Sequence, residues 1–424
     1  MAIAPLPLDV TAGASAPIAP VSGRQAALIF IFITVTIDTV AMGVTAPVLP
    51  KLILHLTGGV QEAGWMNGLF MTVFALMQFL FSPLLGALSD RYGRRPILLL
   101  SIFGMGMSYV GMALATSIWQ LLLVRLLTGA TSANLATAFA YVADTTPSDK
   151  RAGAFGMLQA AMSLGFATGP AIGGMLGHFD PRAPFWAAAA ISLLNAAFGF
   201  FVVPESLARD RRAPLHLKSL GSFGAMKVLT AKAGLFKLAM ILVLAQFATM
   251  VFPTVFVLYA ASRYHWGDIA VALCLTAFGT CSAAVQMGLS GRAVRMFGER
   301  KVILFAILCG VVGTAVFGLA PLGVLFLVGV PIMTLSGMSG PALQSLMTRQ
   351  VSPSEQGRLQ GANTSLQAVA GIVAPMLFGG VWILVAAPNL PQVFLGAPFL
   401  LASLILLGSA VLASRSVGER HARF

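Results

Sequence analysis

Charge is what this sequence has least of. Aspartate, glutamate, lysine and arginine make up 9% of its 424 residues, against about 25% in an ordinary soluble chain. Water cannot solvate a surface so poor in charge, so lipid is the solvent expected for most of it. Cysteine is nearly absent as well. Cys274, Cys281 and Cys309 lie in apolar stretches with no CxxC pair. That pattern excludes a disulfide frame or a thiolate metal site and leaves small packing residues. The five histidines have no metal-ligand spacing, so neither metal nor cofactor is expected. No cleavable signal pattern opens the chain. Residues 1–25 are rich in Pro, Ala, Gly and Ser, with Arg24 the one basic residue, and read as a flexible cytoplasmic tail.

What is present in quantity is apolar surface: 58% hydrophobic residues and a mean hydropathy of +0.90. A spanning helix needs roughly 20 such residues to cross a hydrocarbon core of about 30 Å. Helices satisfy their own backbone in lipid. The apolar runs are continuous rather than alternating, which argues against a β-barrel. Twelve spans are expected, at 26–49, 64–85, 96–115, 117–141, 154–176 and 184–203, then 235–260, 268–290, 301–319, 321–346, 357–384 and 392–414. The runs within 96–141 and 301–346 have almost no polar separator and are divided by length alone.

Basic residues set the orientation. Twenty-two of the 26 lysines and arginines fall in loops on one side, only Lys51, Arg182 and Arg263 on the other, and Arg125 inside a span. The positive-inside rule then puts both termini in the cytoplasm. Topology accounts for the net charge of +13. Nucleic-acid binding is not expected, because no basic stripe is interleaved with aromatics.

The segment 204–234 is the one long hydrophilic stretch, a cytoplasmic central loop between six spans (26–203) and six more (235–414), with a cytoplasmic tail at 415–424. The halves echo each other at an offset of about 205 residues. GALSDRYGRR (86–95) matches GRAVRMFGER (291–300), TPSDK (146–150) matches SPSEQ (352–356), and GPAIGG (169–174) matches APMLFGG (374–380) more weakly. The fold class expected is an all-α membrane protein of two pseudo-symmetric six-helix halves, the architecture of an alternating-access carrier.

Three groups of residues carry chemistry. The turn Gly86–Arg95 has glycines at 86 and 93 for close approach and unusual φ. Asp90 suits a helix N-terminus of the other half. Arg94 suits Asp144 at the end of span 4, and Arg91 and Arg95 complete the basic set. Together they would latch the cytoplasmic side shut in an outward-facing state; the bland alternative is a solvated basic turn. In span 5, Gly165, Gly169 and Gly173, with Gly174, form a small-residue stripe suited to close packing against the other half, and Pro170 can bend it. Ordinary interhelical packing is the alternative there.

The third group is buried charge. Asp38 is the one acid deep within a predicted span, and Arg125 lies in span 4. Intramembrane charges are costly and default to function. Burial disfavours the Asp38 carboxylate while a nearby Arg125 favours it, a balance suited to proton exchange or a cationic substrate. A structural Asp38–Arg125 ion pair is the competing reading. Gln78, Asn134, Thr137, Tyr141, Gln246, Gln286, Gln344, Asn363 and Gln367 are candidate cavity groups, or else interhelical hydrogen-bonding groups.

With these residues on the page, the chain resembles the twelve-span drug:proton antiporters of the major facilitator superfamily, and among them the tetracycline-efflux group. Further matches are IDTV (37–40), PVLP (47–50), FALMQF (74–79), RLLTG (125–129), YVAD (141–144), PALQ (341–344) and QGRLQG (356–361). The resemblance covers nearly everything after residue 27. It implies the major facilitator fold and marks 165–174 as the antiporter signature. It implies proton coupling at Asp38, with Arg125 as electrostatic organiser. The expected function is proton-driven export of a lipophilic neutral or cationic molecule across a bacterial inner membrane. The expected partners are that substrate, protons and the bilayer, with the chain a monomer. The tetracycline-efflux pattern has further acids in spans 3 and 9, where this chain has Ser108 and Gly310, which leaves proton coupling on Asp38. An importer or uncoupled facilitator on the same scaffold is the alternative function. A membrane enzyme or receptor is remoter, since neither an acid/base constellation nor a signalling module is visible.

Overall fold

The computed structural model describes residues 21–132, 134–146, 151–207, 209–212, 229, 233–351 and 356–418. Most of the N-terminal tail, most of the 204–234 loop, the end of the C-terminal tail and most of the 146–150 and 352–356 segments lie outside the described residues. Among those described, the regular elements are all helical.

Among the described residues, eleven helices are long and apolar enough to cross a bilayer. They are Ile31–Thr57 (α1), Val60–Tyr92 (α2), Arg94–Leu114 (α3), Ile118–Thr145 (α4), Ala183–Val202 (α6) and Gly234–Tyr264 (α7). After these come Asp268–Phe297 (α8), Glu299–Leu319 (α9), Gly323–Thr348 (α10), Leu359–Val385 (α11) and Gln392–Arg415 (α12). A further helix, Arg151–Phe179 (α5), has 29 residues. At about 1.5 Å per residue it is long enough to span, but its glycines, Gln159 and His178 dilute its apolarity.

Local chemistry divides the ambiguous runs. Ser117 starts α4 with a capping box: its hydroxyl accepts from the Gln120 N–H, and the Gln120 side chain accepts from the Ser117 N–H. Such a box satisfies two orphan donors at a helix start. Between α9 and α10 the separator is Pro321. The residue before a proline avoids the helical region, and Ala320 leaves it with ψ 117°. Elsewhere the helices overrun the predicted spans. α2 continues through Asp90 to Tyr92, and α8 through Arg292 and Arg295 to Phe297. Charge ends the lipid-facing part of a helix, not its hydrogen bonding.

Within the first half, α1 packs on α5 and α6, α2 on α4, and α3 on α6. Within the second, α9 packs on α10 and α12, and α7 on α11 and α12. The halves meet along α5 against α8 and α2 against α11. The hydrogen bonds between them gather at one end, that of the Gly58–Gly59 turn. Gln61 donates to the Ile383 carbonyl at 2.7 Å, Thr72 to the Ile372 carbonyl at 2.6 Å, and Trp382 Nε1 to the Val60 carbonyl at 2.9 Å. Asn67 donates to the Thr254 carbonyl at 2.5 Å. Lys51 and Asp268 form an ion pair across the same end. Close approaches continue to mid-height, at Gly279 against the Phe166 carbonyl and Gly371 against Ala75. Among the described residues none is found nearer the Gly93 and Gly298 turns. The hydrogen bonds and the ion pair thus hold the halves shut at the Gly58–Gly59 end.

The small-residue stripe of α5 packs differently from expectation. A methyl at Gly165, Gly169 or Gly173 would strike Thr39, Gly43 or Val44 of α1, in the same half. Of the four stripe glycines, Gly174 is the one against the other half, where a methyl would lie 2.1 Å from the Ala272 Cβ. The reason is helical periodicity. Positions four apart share one face, and α1 takes that face; position 174 is turned about a quarter-circle away, toward α8.

Candidate substrate cavity and proton site

A cavity of about 570 Å³ lies between the halves at mid-height. From the first half it is walled by Met42, Met71, Phe74, Met105, Tyr109 and Arg125, and from the second by Phe252, Phe256, Phe278 and Gln286. Gln159 and Ser163 of α5 add polar groups. Gln286 sits in a π-helical turn, Val285–Ser290, that widens α8; such turns are frequent at functional sites.

Of the eight cavity candidates whose side chains are described, Gln286 alone lines this space. Gln78 donates to Ser132 at 3.3 Å. Tyr141 donates to the Pro204 carbonyl at 2.9 Å, holding the start of the central loop against α4. Asn363 donates to Gln344 Oε1 at 3.0 Å, and Gln344 bonds to Gln360. Thr137 is buried, Gln246 half-buried and Gln367 exposed, all three outside the cavity. The Asn134 side chain lies outside the description.

Asp38 is 2% exposed. The Asp38–Arg125 ion pair offered by sequence reasoning is not among the ion pairs of the described residues. Arg125 instead stacks over Phe74, 4.4 Å from the ring centroid, with Nη2 3.8 Å from Met71 Sδ. The group common to both charges is Tyr109, which interacts electrostatically with Asp38 and with Arg125. Sequence reasoning missed Tyr109. Its signal was present: Met105, Ser108, Tyr109 and Met112, all buried, recur at helical spacing with a hydroxyl in an apolar run. Ser108 bonds to the Gly104 carbonyl and Gly310 packs under Leu406 and Ser336. Neither position opens on the cavity.

The 86–95 turn holds a charge network. Arg94 Nε donates to Asp144 Oδ2 at 2.9 Å, and Arg94 Nη1 to Asp90 Oδ1 at 2.5 Å. Asp90 therefore meets Arg94 within its own half, not a helix terminus of the other half. Gly93 has φ 111°, and a side chain there would strike Glu205, whose Oε1 accepts from the Arg94 N–H at 2.8 Å. Arg95 stacks on Phe200 and bonds to its carbonyl, and Arg91 is exposed, stacked on Tyr92. Gly86 is helical with open space beside it. No group of three or more His, Cys, Asp or Glu among the described residues is arranged to hold a metal.

Two helical halves around one mid-height cavity, shut at one end, have the form of a membrane transporter, and the family comparison places the chain among transporters rather than enzymes. Residues 31–375 match the family model of the Major Facilitator Superfamily, and the chain belongs to that family. It is 36% identical over 362 residues to the class C tetracycline resistance protein of Escherichia coli, covering 84% of this chain and 89% of that one. It is 27% identical to multidrug resistance protein 2 of Bacillus subtilis (strain 168), covering 90% and 94%. In fold it is similar to a bacterial homologue of the human lysosomal transporter Spinster in an inward-facing, unoccupied conformation. There the TM-score is 0.74 at 17% identity, covering 94% and 98% of the two chains.

Proposed function

We propose that this protein exports a lipophilic small molecule from the cytoplasm in exchange for protons, by exposing one cavity alternately to the two sides of a bacterial inner membrane. The names of its relatives, tetracycline resistance and multidrug resistance proteins, support a drug as cargo. The positive-inside bias supports cytoplasmic termini and puts the Gly93 and Gly298 turns in the cytoplasm. On that orientation the shut end is periplasmic and the state is inward-facing. Both halves come from one chain, so a monomer suffices.

The observation that carries the proposal is the cavity enclosed between the two halves, with Tyr109 and Arg125 on its wall and Asp38 buried in α1. In this reading Asp38 takes and releases the proton, and Arg125 and Tyr109 set how readily it does so. The Arg94–Asp144–Asp90 network stiffens the cytoplasmic ends of α2, α3 and α4, so that the first half moves as a body.

The test is a drug-susceptibility panel, tetracycline included, in an efflux-deficient bacterial host, followed by proton-driven uptake of any hit into everted vesicles. Asp38→Asn is expected to abolish coupled uptake while the protein remains folded in the membrane. Full coupled uptake in that variant removes Asp38 from the mechanism. Counterflow without any proton gradient in wild type, with no stimulation by one, favours the facilitator instead.

A further inference from the structure

Among the described residues, one formally charged side chain lines the cavity, and it is a cation. Asp38, almost fully buried, is not part of the wall. Arg125 is, and among the described residues it forms no ion pair with a carboxylate. Its Nε is buried without a hydrogen-bonding partner. Its recorded contacts are the Phe74 ring beneath it and the Met71 sulfur. Stacking on a ring uses the face of a guanidinium. With Nε buried and one Nη2 N–H directed at Met71 Sδ, it leaves the other terminal Nη1 and Nη2 N–H groups to donate in the plane, and a pair of them matches an oxyanion with two acceptor oxygens. A desolvated cation left without such acceptors is costly, so an anionic ligand gains here what it cannot gain from water.

The rest of the wall sets the body of that ligand. Phe252 and Phe278 stack at 4.6 Å on the opposite half, and about 570 Å³ is room for a drug-sized molecule. A cationic molecule would find no acid on the wall and would meet Arg125 in a medium of low dielectric, where like charges repel strongly.

We infer that Arg125 is a substrate-binding residue and that the favoured cargo is an amphipathic organic anion: a planar lipophilic body bearing a carboxylate, enolate or sulfonate. This rests on the reading of the cavity as a transport site, and it differs from the neutral or cationic cargo expected from sequence.

Equilibrium binding tests it without any proton gradient. The full-length protein in phosphatidylcholine nanodiscs is titrated with three fluorescent probes, and empty nanodiscs are subtracted. The probes are anilinonaphthalene sulfonate, its neutral analogue phenylnaphthylamine, and a rhodamine cation. The sulfonate is expected to bind wild type on the order of tenfold more tightly than the neutral analogue, the scale of one charge-assisted contact. Arg125→Gln is expected to erase that preference while neutral-probe affinity stays within about twofold, and Arg125→Lys to keep part of it. Equal or tighter binding of the neutral or cationic probe to wild type overturns the inference and needs no variant, so a poorly folded Arg125→Gln protein cannot rescue it. Equal weakening of sulfonate and neutral probe by Arg125→Gln overturns it too. Proton-driven efflux with no anion preference sinks this inference and leaves the exporter. Anion-selective binding with no efflux sinks the exporter and leaves the site.

Discussion

Arg94 and Asp144, joined at 2.9 Å, tie the first turn of α3 to the end of α4. The second half makes the same tie with the charges exchanged: Glu299 begins α9, Arg349 follows α10, and they meet at 2.8 Å. Each lies 205 positions after its counterpart. The glycines just before the two ties, Gly93 and Gly298, both have positive φ, 111° and 78°. The repeat has kept a turn and an opposite-charge contact while the sign of each end was free to change. The contact therefore works as a mechanical tie between helix ends, not as a field of fixed sign.

A double-mutant cycle to alanine at Arg94 and Asp144 is expected to give a coupling on the order of 1 kcal/mol in thermal or denaturant unfolding. The cycle at Glu299 and Arg349 should have the same sign and a smaller size. Arg349 is 72% exposed while Arg94 is 13%, and solvent screens an exposed pair. A larger coupling in the second half would contradict the mechanical reading.

Tyr109→Phe removes one oxygen from the site where Asp38 and Arg125 act together. Coupled transport is expected to fall by about tenfold, the scale of one hydrogen-bonding group to a charge, with the folded yield unchanged. The measurement is proton flux per substrate moved in proteoliposomes. An unaltered ratio and rate would separate Tyr109 from coupling.

The glycines of α5 are not equivalent to Gly86. A methyl at Gly173 would lie 2.0 Å from the Val44 carbonyl oxygen, so α1 and α5 would have to separate. Gly173→Ala should lower stability by about 1–3 kcal/mol, read as a drop in Tm of the purified protein. Gly86→Ala has nothing within 4 Å and should leave the Tm of this conformation unchanged.

Lys51 and Asp268 join the halves at the shut end. Asp268→Asn should weaken that closure and populate the state open to the opposite side. A single cysteine at Ser163, in a variant lacking the native cysteines, should then react severalfold faster with an impermeant maleimide added from the periplasmic side. Unchanged reactivity would mean that the side-chain-to-carbonyl bonds of α2 with α7 and α11 hold the closure without the ion pair.

Much of the fold was legible in the chain because hydropathy, charge bias and repetition are one-dimensional signals. The runs at 96–141 and 301–346 were the weak places. Their separators, the Ser117 capping box and Pro321, are local chemistry that an average over apolarity does not register. The candidate site was legible in its rare residues, Asp38 and Arg125, whose cost in lipid marks them wherever they lie. It was not legible in its common ones. Gln78, Tyr141 and Gln344 were as polar as Gln286, and nothing along the chain says which faces a cavity and which bonds to a neighbouring helix.

By itself the sequence determined that this chain lives in lipid, as two related sets of helices with a buried acid and a buried arginine. The physical reason is that solvation and repetition act residue by residue. Only the tertiary structure decided that Arg125 stacks on Phe74 at the cavity wall while Asp38 is buried away from it, that the α5 stripe packs on α1, and that the charge lining the cavity among the described residues is positive. Those outcomes depend on helix rotation and on which neighbour fills each face, and both are fixed by packing among segments distant in the chain.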